Sequence, residues 1–326
     1  MRTNIKYLPL FVLSVSILAC KPSAKQSTGV YMYHFEKVAP ITTETSKERV
    51  ADYLAIKTVH DLTVSKDENI AYFVADEDVN TTFEQHLGNG NFSFSKLTKD
   101  YLAKDEISLP SKEESIRIAE KFMDTKGIAP KTISEMRLVH SGGLRSQSVI
   151  DGKKAGPIID KLITLTYGRV VDSVPVIGSG SKIIMNIGEN GEVVGMTRHW
   201  RELDQQSRKE LKPTEILSRK EAEELATKQI MEEFGAGTSI RIKSAQKSYY
   251  DGNGNILQPV WAFDTELKLG GENREPVKYL CIIQMMKNSD EPIRINKLDP
   301  KARDLIKELK GSGDLPPKTN DPKNND

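Results

Sequence analysis

Ser218-Arg219-Lys220-Glu221 opens the stretch whose reading decides the fold. A serine followed three residues later by glutamate is a capping box. The hydroxyl accepts one orphan first-turn N–H, and the carboxylate reaches back to the backbone of the cap. Ala222, Leu225, Ala226, Ile230 and Phe234 then recur at helical spacing, and Gly235 stands where such a helix stops. Strand-like runs follow at 239–250, 256–267 and 277–286. Between the first two, Asp251-Gly252-Asn253-Gly254 supplies residues that tolerate the positive φ of tight hairpins. One helix followed by hairpins, rather than helices alternating with strands, predicts antiparallel pairing.

The same pattern occurs twice upstream. Thr45-Ser46-Lys47-Glu48 precedes Val50, Ala51, Leu54 and Ala55, and strand-like runs follow at 58–64, 69–75 and 91–95. Ser111-Lys112-Glu113-Glu114 precedes Ile116, Ala119 and Met123 and stops at Gly127, with runs at 133–141, 162–171, 182–187 and 192–199 behind it. Glu189-Asn190-Gly191 adds another turn signal. The expected fold is therefore α+β, built of repeated modules of one helix packed on an antiparallel sheet. The expected boundaries are 30–106, 107–205 and 212–290, followed by a Pro/Asn/Lys/Asp-rich disordered tail at 311–326.

The first twenty residues concern location. Arg2 and Lys6 precede an apolar run at 7–18, interrupted only by Pro9, Ser14 and Ser16, and Leu18-Ala19-Cys20 ends it before the polar tether at 20–29. A basic start, a short apolar stretch and a small residue before the cut describe a secretory signal peptide over 1–19. Leu-Ala-Cys at that place resembles a bacterial lipobox. The resemblance implies cleavage before Cys20, lipid such as palmitate on its thiol, and a mature chain held to a membrane by that lipid. The alternative is an ordinary signal peptide with Cys20 near the cut by chance. Lys21, where inner-membrane retention would want Asp, points to the outer membrane of the cell envelope.

Composition narrows the partners. Without Arg2 and Lys6 the chain keeps 45 basic against 46 acidic side chains, so no charge excess attracts nucleic acid. With Cys20 acylated, the other cysteine, Cys281, has no disulfide partner. Its run, Tyr279-Leu280-Cys281-Ile282-Ile283, reads as a strand that buries an inert thiol.

Gly168-Arg169-Val170-Val171-Asp172-Ser173-Val174-Pro175-Val176-Ile177-Gly178 runs on through 182–187 to Gly191-Glu192-Val193-Val194-Gly195. This succession of strand, "VPV" step, glycine turn, strand and "GEVV" is similar to propeptides of secreted thermolysin-like metalloproteases. The last unit, with Gln258-Pro259-Val260-Trp261-Ala262-Phe263-Asp264 after its capped helix, resembles the PepSY domain. The resemblance covers roughly 108–287. It implies a helix on a curved antiparallel sheet, with a role as inhibitor or chaperone of a peptidase or as a non-catalytic binding module in the envelope. No peptidase sequence follows, so the expectation is action in trans.

Residues able to do chemistry are scattered. No two of His34, His60, His86, His140 and His199 share a helix face, and none begins an H-E-x-x-H pattern. His34-Phe35-Glu36 puts two ligand types on one strand face, but no third ligand can be named. The loop 251–255 resembles the start of a calcium loop, yet Ile256 stands where Gly is needed and Ala262 where the bidentate Glu is needed, so it reads as a turn. Gly178-Ser179-Gly180-Ser181 lacks the P-loop lysine and the dinucleotide spacing. Trp200 and Trp261 read as core residues, an exposed one being the best binding candidate, and of Tyr249-Tyr250 one ring points inward and one outward. The expectation is a non-catalytic lipoprotein without metal or cofactor. It binds a protein or peptide, such as a secreted peptidase, through its sheets, and an open sheet edge needs no special side chains for that. The alternative is a hydrolase acting on envelope material, with acids and bases among His140, His199, Asp172 and Asp264.

Overall fold

The computed structural model describes residues 29–57, 59, 62–76, 78–150, 153–269 and 275–293. Cys20 with the leader, His60 and the tail at 311–326 lie outside the described residues. The strands are β1 (Val30–Phe35), β2 (Thr63–Ser65), β3 (Ile70–Val74), β4 (Thr81–His86), β5 (Phe92–Lys96), β6 (Met136–Ile150), β7 (Lys153–Val171), β8 (Val174–Gly178), β9 (Lys182–Ile187), β10 (Val193–His199), β11 (Leu203–Leu211), β12 (Ser239–Asp251), β13 (Ile256–Lys268) and β14 (Val277–Gln284). The helices are α1 (Thr43–Leu54), α2 (Lys99–Ala103), α3 (Lys112–Thr125) and α4 (Arg219–Phe234).

Repeated helix-on-sheet modules are not what these elements form. The strands make one 14-stranded sheet in the order β11-β1-β13-β12-β8-β7-β9-β10-β5-β4-β3-β2, with β14 beside β13 and β6 beside β7. The sheet is mixed, since β12 runs parallel to β8 through Tyr249↔Val176 and Tyr250↔Ile177. Three joints overturn the modular expectation. β10 pairs with β5 from Gly195↔Ser95 to Arg198↔Phe92, which fuses the first expected segment to the second. β1 lies between β11 and β13, so the start of the chain fills a gap between distant segments. The β8–β12 contact closes the third joint.

Packing follows the pairing. Phe83, Phe92 and Phe94 are buried in one core with Ile183, Met185 and Met196, and both α1 and α3 press residues into it through Val50, Tyr53, Ala119 and Met123. Each such large side chain contributes about 1.5–3 kcal/mol on burial, so a core shared by two segments does not divide at a sequence boundary. Tyr53 stacks on Phe92 with ring centroids 5.3 Å apart. A separate core lies under α4, whose Ala222, Ala226, Ile230 and Phe234 meet Phe263, Leu267, Cys281 and Ile283. A smaller cluster of Tyr33, Phe35, Val171, Val176, Leu203, Tyr249 and Leu257 seals the joint between them.

The helix starts are written locally. Ser111 accepts the Glu114 N–H at 3.1 Å and opens α3. Ser218 opens α4 with its full capping box, and Gly235 closes it. In α1 the cap is Thr42, three residues before the expected one, with its hydroxyl accepting the Thr45 N–H at 3.1 Å. Leu225, expected on the buried stripe of α4, is 43% exposed, because the buried face follows the four-residue spacing from Ala222 to Phe234.

Candidate functional site

β14 is hydrogen-bonded to β13 along its length, from Val260↔Gln284 to Leu267↔Val277. Among the described residues no strand pairs with its other side. Among the described residues, the chain covers that edge only past the end of the strand. There the Leu217 N–H donates to the Met285 carbonyl at 2.7 Å and the Lys287 N–H to the Glu215 carbonyl at 2.9 Å. Val277 and Leu280 on the open strand are exposed, at 45% and 50%. The alternate residues Cys281 and Ile283 are buried under α4, which fixes the strand's position. Burial pushes the Cys281 thiol up to about 12, so the sulfur stays protonated and unreactive at neutral pH.

Next to this edge, past the N-terminus of α4, the sheet face is left open. Lys247, Trp261 and Ile283 lie in register across β12, β13 and β14. Trp261 is partly exposed, and its Nε1 donates to the Leu217 carbonyl at 3.3 Å. The ring is thereby fixed as one wall of a groove of about 290 Å³, shared with Ile216, Leu217, Met285, Lys247 and Lys287. The Lys247 ammonium stands 5.9 Å from the ring centroid. The Lys287 ammonium is 3.5 Å from Glu221 Oε1. Glu221 Oε2 accepts the Ser218 N–H at 2.7 Å, and that bond holds the Glu221 carboxyl below its ordinary value.

Two polar clusters lie elsewhere. Asp251, expected as a turn residue, has a buried carboxylate that accepts from the Ser181 hydroxyl at 2.7 Å, from Arg201 Nη2 at 3.1 Å and from the Asn253 N–H at 3.0 Å. The glycine-rich segment 178–181 wraps this carboxylate. A Cβ at Gly180 would lie 2.3 Å from the carboxyl carbon, so only glycine allows the approach. Arg169, fully buried, donates to the Arg201 carbonyl at 2.7 Å and lies 3.2 Å from Glu135 Oε2, its guanidinium 4.1 Å from the Trp200 ring centroid. Burial lowers Arg169 to about 10 and raises Glu135. The Asp251 carboxylate and Asn253 Oδ1, which a calcium loop would turn on the ion, accept instead from Ser181, Arg201 and Asn91.

In the second cluster the Tyr33 hydroxyl donates to Asp172 Oδ2 at 2.5 Å and Arg208 Nε donates to the Tyr33 oxygen at 3.0 Å. Tyr249 reaches the same carboxylate oxygen at 3.4 Å. Burial and the adjoining carboxylate raise both tyrosines, so neither ionises near neutrality. Asp172 and Ser173 both take positive φ, 50° and 65°, in the β7–β8 turn.

The residues named for hydrolysis fall in different places. Asp172 is engaged in the tyrosine cluster, His199 Nδ1 lies 3.4 Å from the Ser179 carbonyl, and His140 and Asp264 are exposed on β6 and β13. His34 is exposed, and Glu36 pairs with Lys131 at 2.6 Å. No group of three or more His, Cys, Asp or Glu capable of holding a metal occurs among the described residues. No helix of the described residues is long and apolar enough to cross a membrane. Trp200 is buried, and Trp261 is the tryptophan that reaches the surface. The sequence reading names no particular edge, although Leu280, apolar on the face of β14 opposite to Cys281 and Ile283, was its available signal.

No protein-family model matches the chain, and no curated protein matches it. Among solved structures it is similar to the crystal structure of an uncharacterized protein from Eubacterium rectale ATCC 33656, with 10% identity, coverage of 82% of this chain and 86% of that one, and a TM-score of 0.42. It is also similar to the Bacillus megaterium YpeB C-terminal domain, with 12% identity, coverage of 77% of this chain and 100% of that one, and a TM-score of 0.36.

Proposed function

We propose that this chain is a non-catalytic envelope lipoprotein, anchored through Cys20, that binds an extended segment of a protein or peptide partner by strand addition to β14. The observation that carries the reading is the side of β14 that no strand of the described residues pairs, with Val277 and Leu280 exposed on the strand. Exposed edges template pairing with other chains, and native proteins ordinarily blunt them with charge, proline or a bulge. Among these eight residues only Lys278 is charged, and there is no proline. An extended peptide laid there gains main-chain hydrogen bonds, and alternate side chains give it a preference. The likeness of 108–287 to PepSY and protease-propeptide sequences adds a finer version, in which the partner is a secreted peptidase held or inhibited in trans.

The test combines partner capture with amide exchange. The chain and its Leu280→Lys variant are incubated with envelope extract, and exchange is followed across 277–284. The expected result is a polypeptide retained by the parent, lost by the variant, and slowing exchange on β14. A retained polypeptide that leaves β14 exchange unchanged, or retention equal in the two chains, refutes the reading.

A further inference from the structure

The groove at Trp261 has a chemistry of its own, separate from the open edge. The 215–217 segment closes that edge before the groove begins, so the two sites stand on different observations. Its floor and one wall are apolar: Trp261, Ile216, Leu217 and Met285. Its rim carries two ammonium groups. Lys287 is balanced by Glu221 at 3.5 Å. Lys247 has no carboxylate within ion-pair distance among the described residues, and it is exposed on β12 with its ammonium near the Trp261 ring. The lining therefore carries two positive charges and one negative, an excess of one positive charge beside an apolar floor.

We propose that this groove binds the C-terminal residue of a peptide whose last side chain is large and apolar, with the free carboxylate taken by Lys247 and Lys287 and the side chain laid against Trp261. The size fits that occupant. At about 290 Å³ it lies at the small end of ligand sites, which run roughly 300–1,000 Å³, and so takes one residue rather than an extended ligand. The charge fits it as well, since a carboxylate supplies the single negative charge that Lys247 lacks. Trp261 is prepared for stacking because its Nε1 is already committed to the Leu217 carbonyl, which leaves the ring face without a polar demand.

The test uses the full chain and small probes. N-acetyl-leucyl-phenylalanine with a free carboxylate is titrated while the Trp261 indole N–H resonance is followed by NMR. Trp200 is buried and serves as the internal reference. The expected result is saturable movement of the Trp261 signal alone. The C-terminal amide of the same peptide and Lys247→Gln with the acid should each bind about tenfold more weakly, the loss of one charge-assisted contact. N-acetyl-leucyl-alanine should also bind more weakly than the phenylalanine peptide. Lys247 is exposed and unpaired, so its substitution leaves the fold intact, as an unchanged Trp200 signal would show. Equal binding of acid and amide, undiminished binding by Lys247→Gln, or no saturable shift of Trp261 overturns the proposal. Decanoate competing with the peptide at equal strength would also overturn it, by assigning the groove to a fatty acid.

Discussion

Removing the Asp251 carboxylate tests whether the joint between the loop at 178–181 and the turn after β12 is held by buried charge. Asp251 and Arg201 pair at 3.1 Å with side-chain exposures of 1% and 8%. Asp251→Ala leaves the Arg201 guanidinium without a carboxylate, held by the Gly254 carbonyl 2.6 Å from its Nη1 and by the Phe35 ring, and strips the Ser181 hydroxyl and the Asn253 N–H of their acceptor. Breaking a buried pair by removing one partner costs about 3–5 kcal/mol, because the other charge stays buried. The control is Glu36→Ala. Its partner Lys131 is 67% exposed and Glu36 40%, and exposed pairs are worth about 0–1 kcal/mol. Urea unfolding at pH 7, followed by tryptophan emission, should place the two variants several kcal/mol apart. In thermal scans Asp251→Ala should melt about 10 °C lower, at roughly 2–4 °C per kcal/mol for a chain of this size. Asp251→Asn should fall between, since an amide oxygen can still accept from the Asn253 N–H. A loss below about 1 kcal/mol in Asp251→Ala, or equal losses in the two alanine variants, would refute the assignment of strength to burial.

Four further outcomes follow from the helix cap and the two cysteines. Glu221 is held below its ordinary value of 4.5 first by the Ser218 N–H it accepts, so its contribution to α4 is present above pH 4.5 and is lost as pH falls through the lower folded value. The stability difference between the parent and Glu221→Gln should shrink over that acid range, and a difference that stays constant with pH would contradict it. Ser218→Ala should cost about 1 kcal/mol by urea unfolding, and no loss would mean that the cap is not the start signal of α4. Cys281, with its thiol raised to about 12, should resist alkylation at pH 8 until the chain unfolds, and stoichiometric labelling of the folded chain would show that the core under α4 opens. The chain recovered from envelopes should begin at an acylated Cys20 by mass spectrometry, and a free Cys20 thiol would remove the anchor from the proposed function.

What the sequence conveyed and what it withheld divide along the range of the interactions involved. α3 and α4 were legible because a cap and a helical stripe are decided within a few residues, as at Ser111–Glu114 and Ser218–Glu221. α1 was displaced because Thr45 has a glutamate three residues on and Thr42 does not, yet the folded backbone starts the helix at Thr42, whose hydroxyl accepts the Thr45 N–H. β11 escaped notice for a physical reason. Its Asp204-Gln205-Gln206-Ser207-Arg208-Lys209-Glu210 is polar throughout, buried only at Leu203 and Leu211, so it shows no period of two. Its place is set by β1, from Val30↔Leu211 to Phe35↔Leu203, across a sequence separation that no local pattern reports. β4 was likewise passed over, although Phe83 and Gln85 are buried on it, because Thr81, Thr82 and Glu84 dilute the apolar signal.

The same distinction explains why modules read from local pattern merged into one sheet. Each helix-and-hairpin pattern was a statement about neighbours in sequence, whereas a strand has two sides, and the second is filled by whichever edge the fold brings to it. β10 offers one side to β9 and the other to β5, and β13 offers its length to β12 and β14 and its start to β1. A sheet grown this way ends where a strand finds no further partner. At one boundary the end is β2, only three residues long; at another it is β11, where four of nine residues are charged. Both are ordinary ways to discourage another chain from pairing. β14 uses neither, since it has eight residues, one charge and two exposed aliphatic side chains. β6, paired only with β7 among the described residues, is broken by three register shifts, another such device. The difference between β14 and these margins is the reason to look for a partner there, and blocking it with Leu280→Lys while leaving Cys281 and Ile283 in the core changes that margin without touching what holds it in place.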